Sequence, residues 1–599
     1  MSNFWAHTKN SEGKPHLLSD HLRGVGNLAR RFAEEANSQL AEAAEWAGLL
    51  HDLGKYRDEF QQYLRGEREG GTDTHHAIYG AALAYKLEWL GPAFVIAGHH
   101  AGLHNLDQMQ SLVGDSKYRA AERLPMIVER FEKEVGEVAK QITEPKFVIN
   151  NEHRAEFYIR MLFSALVDAD FLDTEAHHKC AVRKSIPFQP AVLLKLLIAE
   201  KESKSREGQI NALRNRIFQQ CLDAAVTEQG FFSLTVPTGG GKTLSAMAFA
   251  LAHAAYHNLR RVIVVIPYLS IIEQNAAQYQ RILDPENMGI LIEHHSAVTV
   301  PDDTNESRPQ APLEKHAAEY AAENWDAPII VTTSVQFIES LFASRTSRCR
   351  KLHNIARSVV IFDEVQTLPS HLLNPLLNVF RDLRDNYGVS FVFSTATQPA
   401  FRHRPSSLNE GFKSGEAHEI TQDTAETFSR LRRVKFRAPN MNETVSWRML
   451  AGQMISRRQA LCVVNVRSHA FELLLELLRV VSESERESVF HLSSAMCAEH
   501  RLDVLGADHD PLPGTIRHRL RNNQPCCLVS TQLIEAGVDV DFPVVWRALG
   551  PLDSIVQAAG RCNRESKLRD AAGNPALGEV IVFMPEEHKL PPGVYRTAA

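Results

Sequence analysis

No apolar run in the 599 residues is long enough to span a bilayer. Residues Met1 to Asn10 lack the charged start and apolar stretch of a signal peptide. Both absences point to a cytoplasmic protein with no membrane partner. Cysteine is scarce: Cys180, Cys221, Cys349, Cys462, Cys497, Cys526, Cys527 and Cys562 are scattered, with no C-x-x-C pair. That spacing argues against a disulfide framework or a cysteine zinc site and leaves small buried apolar residues as their role. Excess positive charge is lacking too. With 66 Lys+Arg against 72 Asp+Glu the net charge is −6, so the chain as a whole exerts no pull on nucleic acid, and such binding requires a local basic channel. Disorder is excluded by 44% hydrophobic and 23% charged residues, and no repeat or low-complexity tract is present. The length exceeds what one hydrophobic core serves, which implies three or four domains.

From Leu17 to about Leu197 apolar residues recur at three and four spacing, as in Leu40 to Leu50, Ala77 to Leu90 and Phe157 to Val167; this predicts an all-α domain over residues 1–199. The charged stretch Glu200 to Gly208 reads as a linker. Short β-rich runs alternating with helical ones follow: Phe231 to Val236, Arg261 to Ile266, Pro328 to Thr332, Val359 to Phe362 and Val389 to Ser394. A second set comprises Leu461 to Val466, Ser488 to Leu492, Cys527 to Ser530, Val544 to Arg547 and Gly578 to Phe583. Such alternation predicts two mainly parallel α/β domains, 209–438 and 439–599. Between them lies a basic segment, Arg430, Arg432, Arg433, Lys435 and Arg437, equally readable as a solvated interdomain edge or a nucleic-acid contact.

Val236-Pro237-Thr238-Gly239-Gly240-Gly241-Lys242-Thr243 stands between an apolar strand and a helical run. Glycines there let backbone N–H groups close around phosphates, Lys242 reaches the β/γ oxygens and the Thr243 hydroxyl suits Mg²⁺. Asp363 and Glu364 end a later apolar strand. They are suited to holding that Mg²⁺ and polarising the attacking water, respectively. Ser394 to Thr397 closes the next strand with hydroxyls able to bond the acidic pair. Arg561 and Arg564, three apart in Gln557 to Arg564, are expected on one helix face as arginine fingers. Thr531 to Asp539 supplies a loop able to join nucleic-acid contact to nucleotide state, and Gln209 reads either as an adenine contact or, the favoured reading, as a helix-surface glutamine.

The front third carries a different chemistry. His51-Asp52-Leu53-Gly54-Lys55 places an imidazole beside a carboxylate at a helix end, and His21, His75-His76, His99-His100 and Asp168 are further possible ligands. Nitrogen-rich ligation with few carboxylates favours transition metals over Mg²⁺ or Ca²⁺ alone. Two metals activate water and clamp the attacking and leaving oxygens of a phosphodiester. Lys55, near His51, is placed to stabilise transition-state charge or orient the nucleophile.

Val236 to Thr243, Asp363 to Gln366, Ser394 to Thr397, Thr531 to Asp539 and Gln557 to Arg564 resemble motifs I, II, III, V and VI of the superfamily 2 helicases, in order. The resemblance implies two RecA-like domains that step along single-stranded nucleic acid with ATP and Mg²⁺, Gln557 belonging to the nucleotide site. The histidine set is similar to the HD superfamily of metal-dependent phosphohydrolases, which implies His21, His51, Asp52, His76, His99, His100 and Asp168 as ligands of two divalent metals (Mn²⁺, Co²⁺, Ni²⁺ or Fe²⁺). In that pattern His76, four residues before Gly80, is preferred to His75, and Asp52 bridges. The fusion, with Ile266 to Gln274 and Asp173 to Glu175, resembles the helicase-nuclease of type I CRISPR systems over roughly residues 15 to 585. It implies recruitment by an RNA-guided Cascade complex, nicking of the displaced single DNA strand of an R-loop, and 3′ to 5′ ATP-driven translocation with processive degradation. The family usually carries a further C-terminal domain, which this sequence, stopping about 35 residues after Arg564, is expected to lack or to have truncated. Two other readings remain. A nucleic-acid remodeller or helicase with a non-cutting HD domain is separated by metal content, and a small-nucleotide phosphohydrolase by substrate length.

Overall fold

The computed structural model describes residues 4–591 except 70, 72–73, 116–117, 149–150, 184, 204–208, 238, 268, 296–322, 397–400, 440–442, 508–510 and 536–537. Its front is helical, as the periodicity predicts, apart from a small antiparallel pair, β1 (Trp5–His7) and β2 (His16–Leu17). Helices Leu18–Ala36, Ala41–Leu50, Ala77–Lys86, Leu90–Gly98 and Glu152–Lys179 pack against one another. Gly80 lets two of them close: a Cβ there would collide with the Leu50 carbonyl oxygen, one residue before His51.

The first sheet contains β3 (Phe231–Thr235), β4 (Arg261–Ile266), β5 (Leu291–His294), β6 (Ile329–Thr333), β7 (Ser358–Phe362), β8 (Ser390–Thr395) and β9 (Ala417–Glu419). Its order is β5-β6-β4-β7-β8-β3-β9, every pairing parallel. The second contains β10 (Val434–Arg437), β11 (Gln459–Val463), β12 (Val489–Leu492), β13 (Cys526–Ser530), β14 (Val544–Ala548) and β15 (Gly578–Phe583). Its order, β10-β15-β14-β11-β13-β12, is parallel throughout. Sequence patterning missed β5, β9 and β10, all three at sheet edges; β9 and β10 lack the apolar runs that mark buried strands. β10 falls on the basic segment, so part of it is sheet.

The two-residue period of β4 divides the core. Ile263 and Val265 face a cluster shared with the N-terminal helices, including Leu162 and Leu166, whereas Val262, Val264 and Ile266 face Leu197, Phe249 and Ile272. The helical domain thus docks on one side of the first sheet domain. Polar contacts pin it there: Ser164 Oγ to His353 Nδ1 at 2.9 Å, Leu103 N to the Ser344 carbonyl at 2.8 Å and Arg260 to Glu35 at 2.7 Å. The expected linker begins inside helix Pro190–Ser203, whose Leu193 and Leu197 enter the core on the opposite side of the sheet. That helix therefore packs with the α/β domain; residues 204–208 lie outside the described set. All eight cysteines are free, six of them buried, and among the described residues no helix is long and apolar enough to cross a membrane.

Candidate functional site

The helix ends of the front domain converge on Asp52. His51 caps helix Ala41–Leu50, His76 precedes helix Ala77–Lys86, His99 and His100 follow helix Leu90–Gly98, and His21 lies in the first turn of Leu18–Ala36. Asp52 divides them. Its Oδ2 lies 3.3 Å from His21 Nε2 and 3.4 Å from His51 Nε2, while Oδ1 lies 2.9 Å from His76 Nε2 and 3.6 Å from His99 Nε2. His76 and His100 bring their Nε2 atoms to 2.8 Å. Two ligand groups sharing one carboxylate result: His21-His51-Asp52 and Asp52-His76-His99-His100. His75 is exposed and belongs to neither.

The rings are aimed before any cation is considered. His51 Nδ1 donates to the Gly48 carbonyl and His99 Nδ1 to the Ile96 carbonyl, both at 2.7 Å, and Asp173 Oδ2 holds His21 Nδ1 at 2.7 Å. Outer partners of this kind select the tautomer that presents Nε2 to a metal. The inward nitrogens of His21, His51 and His99, and Asp52 Oδ1, are buried without hydrogen-bond partners, so the donor set fits a pair of transition metals. The electrostatics agree. Burial works against charge on His51, yet Asp52 and Asp170 outweigh it and hold its pKa up to about 10. The Asp52 carboxyl, opposed by burial, is held well below its usual range by Lys55, His51 and His76. Burial brings His76 down to about 4, and the charge of His99 followed by burial brings His100 to about 2. The pocket holds cationic charge beside Asp52 and keeps the outer imidazoles neutral. Lys55 is buried, its Nζ 2.6 Å from Asp52 Oδ2 and donating to the Ala6 carbonyl at 3.1 Å, so it anchors Asp52.

Asp168 is not brought to this cluster. It is fully buried against the α/β domain, accepting from Arg350 Nε at 2.8 Å and Asn324 Nδ2 at 3.0 Å. Asp170 faces the histidines instead, its Oδ1 3.5 Å from His21 Nε2 and 3.6 Å from His51 Nε2. Two positions on a helix are about 200° apart, so only one of these acids can face the centre. Asp173, three residues on, shares the Asp170 face. The acid stripe at three spacing, Asp170 and Asp173, is the signal in the sequence that marks this face. Also unforeseen were His7 and His16, whose rings lie 4.8 and 5.1 Å from that of His21. Opposite consequences are expected for the two acids. Asp168→Ala should destabilise the chain by about 1–3 kcal/mol, because it leaves the buried Arg350 Nε and Asn324 Nδ2 without their acceptor while Glu323 still pairs Arg350 Nη1. Asp170→Ala should cost metal and cutting with little change in the denaturation midpoint of the metal-free protein. Chemical denaturation and metal analysis of both variants check this, and equal metal retention in the two would refute it.

In the first sheet domain, the glycine loop turns between β3 and helix Lys242–His257, with Gly239 and Gly241 at φ 78° and 84°. Val236 and Pro237 lead into it, Val236 N donating to the Thr395 carbonyl at 3.1 Å and Gly240 N to Pro237 at 3.0 Å; Thr238 lies outside the described residues. Thr243 is in the first turn of that helix, its carbonyl accepting from Tyr279 Oη at 3.2 Å. Lys242 Nζ meets Glu364 Oε1 at 2.8 Å. Gln366 Nε2 donates to Glu364 at 2.7 Å and accepts through Oε1 from Thr395 Oγ1 at 2.8 Å, while Ser394 Oγ reaches Asp363 at 3.4 Å. The hydroxyls after β8 thus meet the acidic pair, as the strand order requires; Thr397 lies outside the described residues. Burial pushes the Asp363 carboxyl up, whereas Lys242 holds Glu364 down against burial. Glu364 is therefore ionised and Lys242 protonated, its burial outweighed by Glu364 and Asp363. A cradle of this charge and backbone form fits a nucleoside triphosphate with Mg²⁺.

The arginines of the second sheet domain differ from expectation in setting. Helix Leu552–Ala559, which carries Gln557, ends before both; Gly560 caps it and Asn563 adopts φ 46°. Arg561 and Arg564 therefore share no helix face. Arg561 is buried, donating to the carbonyls of Ile534 and Glu535 at 2.8 Å each, and burial followed by Arg564 brings its pKa to about 9. The charges of Glu364 and Lys242 are within its electrostatic reach. Arg564 Nε pairs with Asp539 at 3.1 Å. In the Thr531 to Asp539 loop, Ala536 and Gly537 lie outside the described residues. Gln209 begins helix Gln209–Ala224.

Three family models match the chain in succession: HD domain at residues 18–145, DEAD/DEAH box helicase at 215–404, and CRISPR-associated nuclease/helicase Cas3, C-terminal, at 456–567. In this order they are the HD, DEAD helicase and C-terminal domains of a Cas3-type CRISPR nuclease/helicase. The CRISPR-associated nuclease/helicase Cas3 of Haloferax volcanii is 25% identical over 86% of this chain and 70% of its own length. Among solved structures, T. fusca Cas3 with AMPPNP superposes with a TM-score of 0.64 at 17% identity, over 98% of this chain and 76% of that one. A chain of a pre-nicking CRISPR RNA-guided surveillance complex superposes with a TM-score of 0.56 at 16% identity, over 98% and 74%. At those identities the superpositions establish the fold, a helical HD domain followed by two RecA-like domains.

Proposed function

We propose that the chain is a metal-dependent single-stranded DNA nuclease joined to an ATP-driven 3′ to 5′ helicase, acting in antiviral defence. It nicks and then processively degrades DNA in the cytoplasm after recruitment to a Cascade-type RNA-guided complex. The observation that carries the reading is the division of imidazoles by Asp52, one oxygen toward each ligand group, in a domain docked on a nucleotide-binding motor. Two transition metals held by His21, His51, Asp52, His76, His99, His100 and Asp170 would supply Lewis acidity, water activation and a clamp on the reacting phosphodiester. The chain's own residues do the preparatory work. Lys55 keeps the Asp52 carboxylate in one orientation, Asp173 fixes the His21 ring, and the Gly48 and Ile96 carbonyls fix those of His51 and His99. In the motor, Lys242 would bind phosphate oxygens, Thr243 and Asp363 would hold Mg²⁺, Glu364 would orient the attacking water, and Arg561 and Arg564 would approach from the second domain. Travel direction and the displaced R-loop strand as substrate are carried over from the family resemblance, and the Cascade partner is supported by the fold shared with a chain of a surveillance complex.

The test is circular single-stranded DNA, with and without ATP, in Mn²⁺, Co²⁺ or Ni²⁺ together with Mg²⁺. Cutting without ATP, and shortening of the products with it, is expected. A protein that hydrolyses ATP on DNA yet never cuts in any metal would be a remodeller, and the nuclease assignment would fall.

A further inference from the structure

The basic segment at residues 430–437 is left unused by the function above, and one member of it does not lie at a solvated edge. Arg433, just before β10, is 9% exposed. Its backbone is fastened to the second sheet domain: its carbonyl accepts from Gly578 N at 2.8 Å and from Asn563 Nδ2 at 3.1 Å. Its side chain reaches the other way, across the cleft. A Cβ built on Gly239 would sit 2.7 Å from Arg433 Nη1 and 3.5 Å from Cζ, so the guanidinium lies directly against the phosphate loop of the first domain. The same Nη1 donates to the carbonyl of Arg564. From the first domain, Arg214 reaches the loop as well, its Nε donating to the Gly239 carbonyl at 2.8 Å.

Arg433, Arg214 and Lys242 thus surround one glycine loop, with Arg564 and Arg561 beside them. The crowding has an electrostatic signature. Burial pushes Arg433 below its ordinary value and Arg564 and Arg214 push the same way, against Asp541 and Glu565. Cations packed over backbone N–H groups are stabilised by a polyanion between them. A nucleic-acid strand is a poorer fit for Arg433, since the side chain points into the cradle.

We propose that Arg433 is a nucleotide-phosphate contact carried to the cradle by the second α/β domain, so that bound nucleoside triphosphate ties β10 and the Arg561–Arg564 segment to the phosphate loop. The proposal rests on the ATPase reading above. It assigns the connection between the two domains a direct part in sensing nucleotide. Lysine would supply charge without the planar fork.

The experiment uses the full chain as wild type, Arg433→Ala, Arg433→Lys, Arg433→Gln and Lys242→Ala. Steady-state ATP hydrolysis on single-stranded DNA gives kcat and KM, and thermal unfolding is followed with and without AMPPNP. For Arg433→Ala the KM for ATP should rise at least about tenfold and the AMPPNP-induced rise in midpoint should shrink, while the nucleotide-free midpoint stays near wild type. Arg433→Lys should recover part of the affinity and Arg433→Gln none, and this pair decides the matter if the alanine variant fails to fold. An unchanged KM, whether the nucleotide-free midpoint falls or holds, would reduce Arg433 to packing and overturn the proposal. Lost DNA stimulation with intact nucleotide binding would make it a nucleic-acid contact and overturn it too. If wild type hydrolyses ATP, Lys242→Ala does not and the Arg433 variants match wild type, this proposal alone fails. If wild type hydrolyses no ATP, the ATPase reading fails with it.

Discussion

Asp52→Ala should lower cutting of circular single-stranded DNA by about 10³-fold or more and leave DNA-stimulated ATP hydrolysis within about twofold of wild type, since one preorganised polar donor is already worth about 10²–10³. Asp52 is more than one ligand among seven. Its two oxygens face different imidazole groups, Oδ2 toward His21 and His51 and Oδ1 toward His76 and His99, so a single truncation takes a ligand from both. It also removes the anion that, with Asp170, holds His51 protonatable up to about 10, and it leaves Lys55 buried beside its lost partner. Metal content measured on the purified variant should fall with activity. A variant that keeps two metals per chain and still cuts would show that the shared-carboxylate reading is wrong.

Lys242→Ala should abolish ATP hydrolysis, by about 10³-fold by comparison with other cations placed on a transferring phosphoryl group, while single nicks made without ATP persist. Two losses coincide. The ammonium that meets the phosphates disappears, and Glu364, held ionised against burial by Lys242 at 2.8 Å, loses the charge that keeps it so and takes up a proton more readily. A protonated Glu364 cannot orient water as a base. Product lengths on circular DNA separate the two engines: wild type with ATP should give short fragments, and Lys242→Ala full-length linear strands. Short fragments from the variant would mean that the motor does not feed the nuclease.

The two parallel α/β domains were legible because buried parallel strands are continuous apolar runs, such as Arg261 to Ile266 and Gly578 to Phe583, each reproduced residue for residue in the structure. The edge strand Val434–Arg437, with three of its four residues exposed, carries no such run. The helical expectation for Gln557 to Arg564 failed at Gly560, where the chain leaves the helix; two arginines at three spacing indicate a shared face only while the helix lasts.

What the sequence by itself determined is the chemistry. The cradle Val236 to Thr243, the acidic pair Asp363-Glu364 and the His51-Asp52 corner are each formed by neighbours in the chain, so their composition already says phosphate and metal. Only the tertiary structure decided which distant groups join them. Asp168 and Asp170 are equivalent acids on one helix until the histidines stand on one side of it and Arg350 on the other, about 200° away. Arg433 is one basic residue among five until two domains close over Gly239. Local patterns specify what a site can do, and the packing of one element on another specifies which side chain is there to do it.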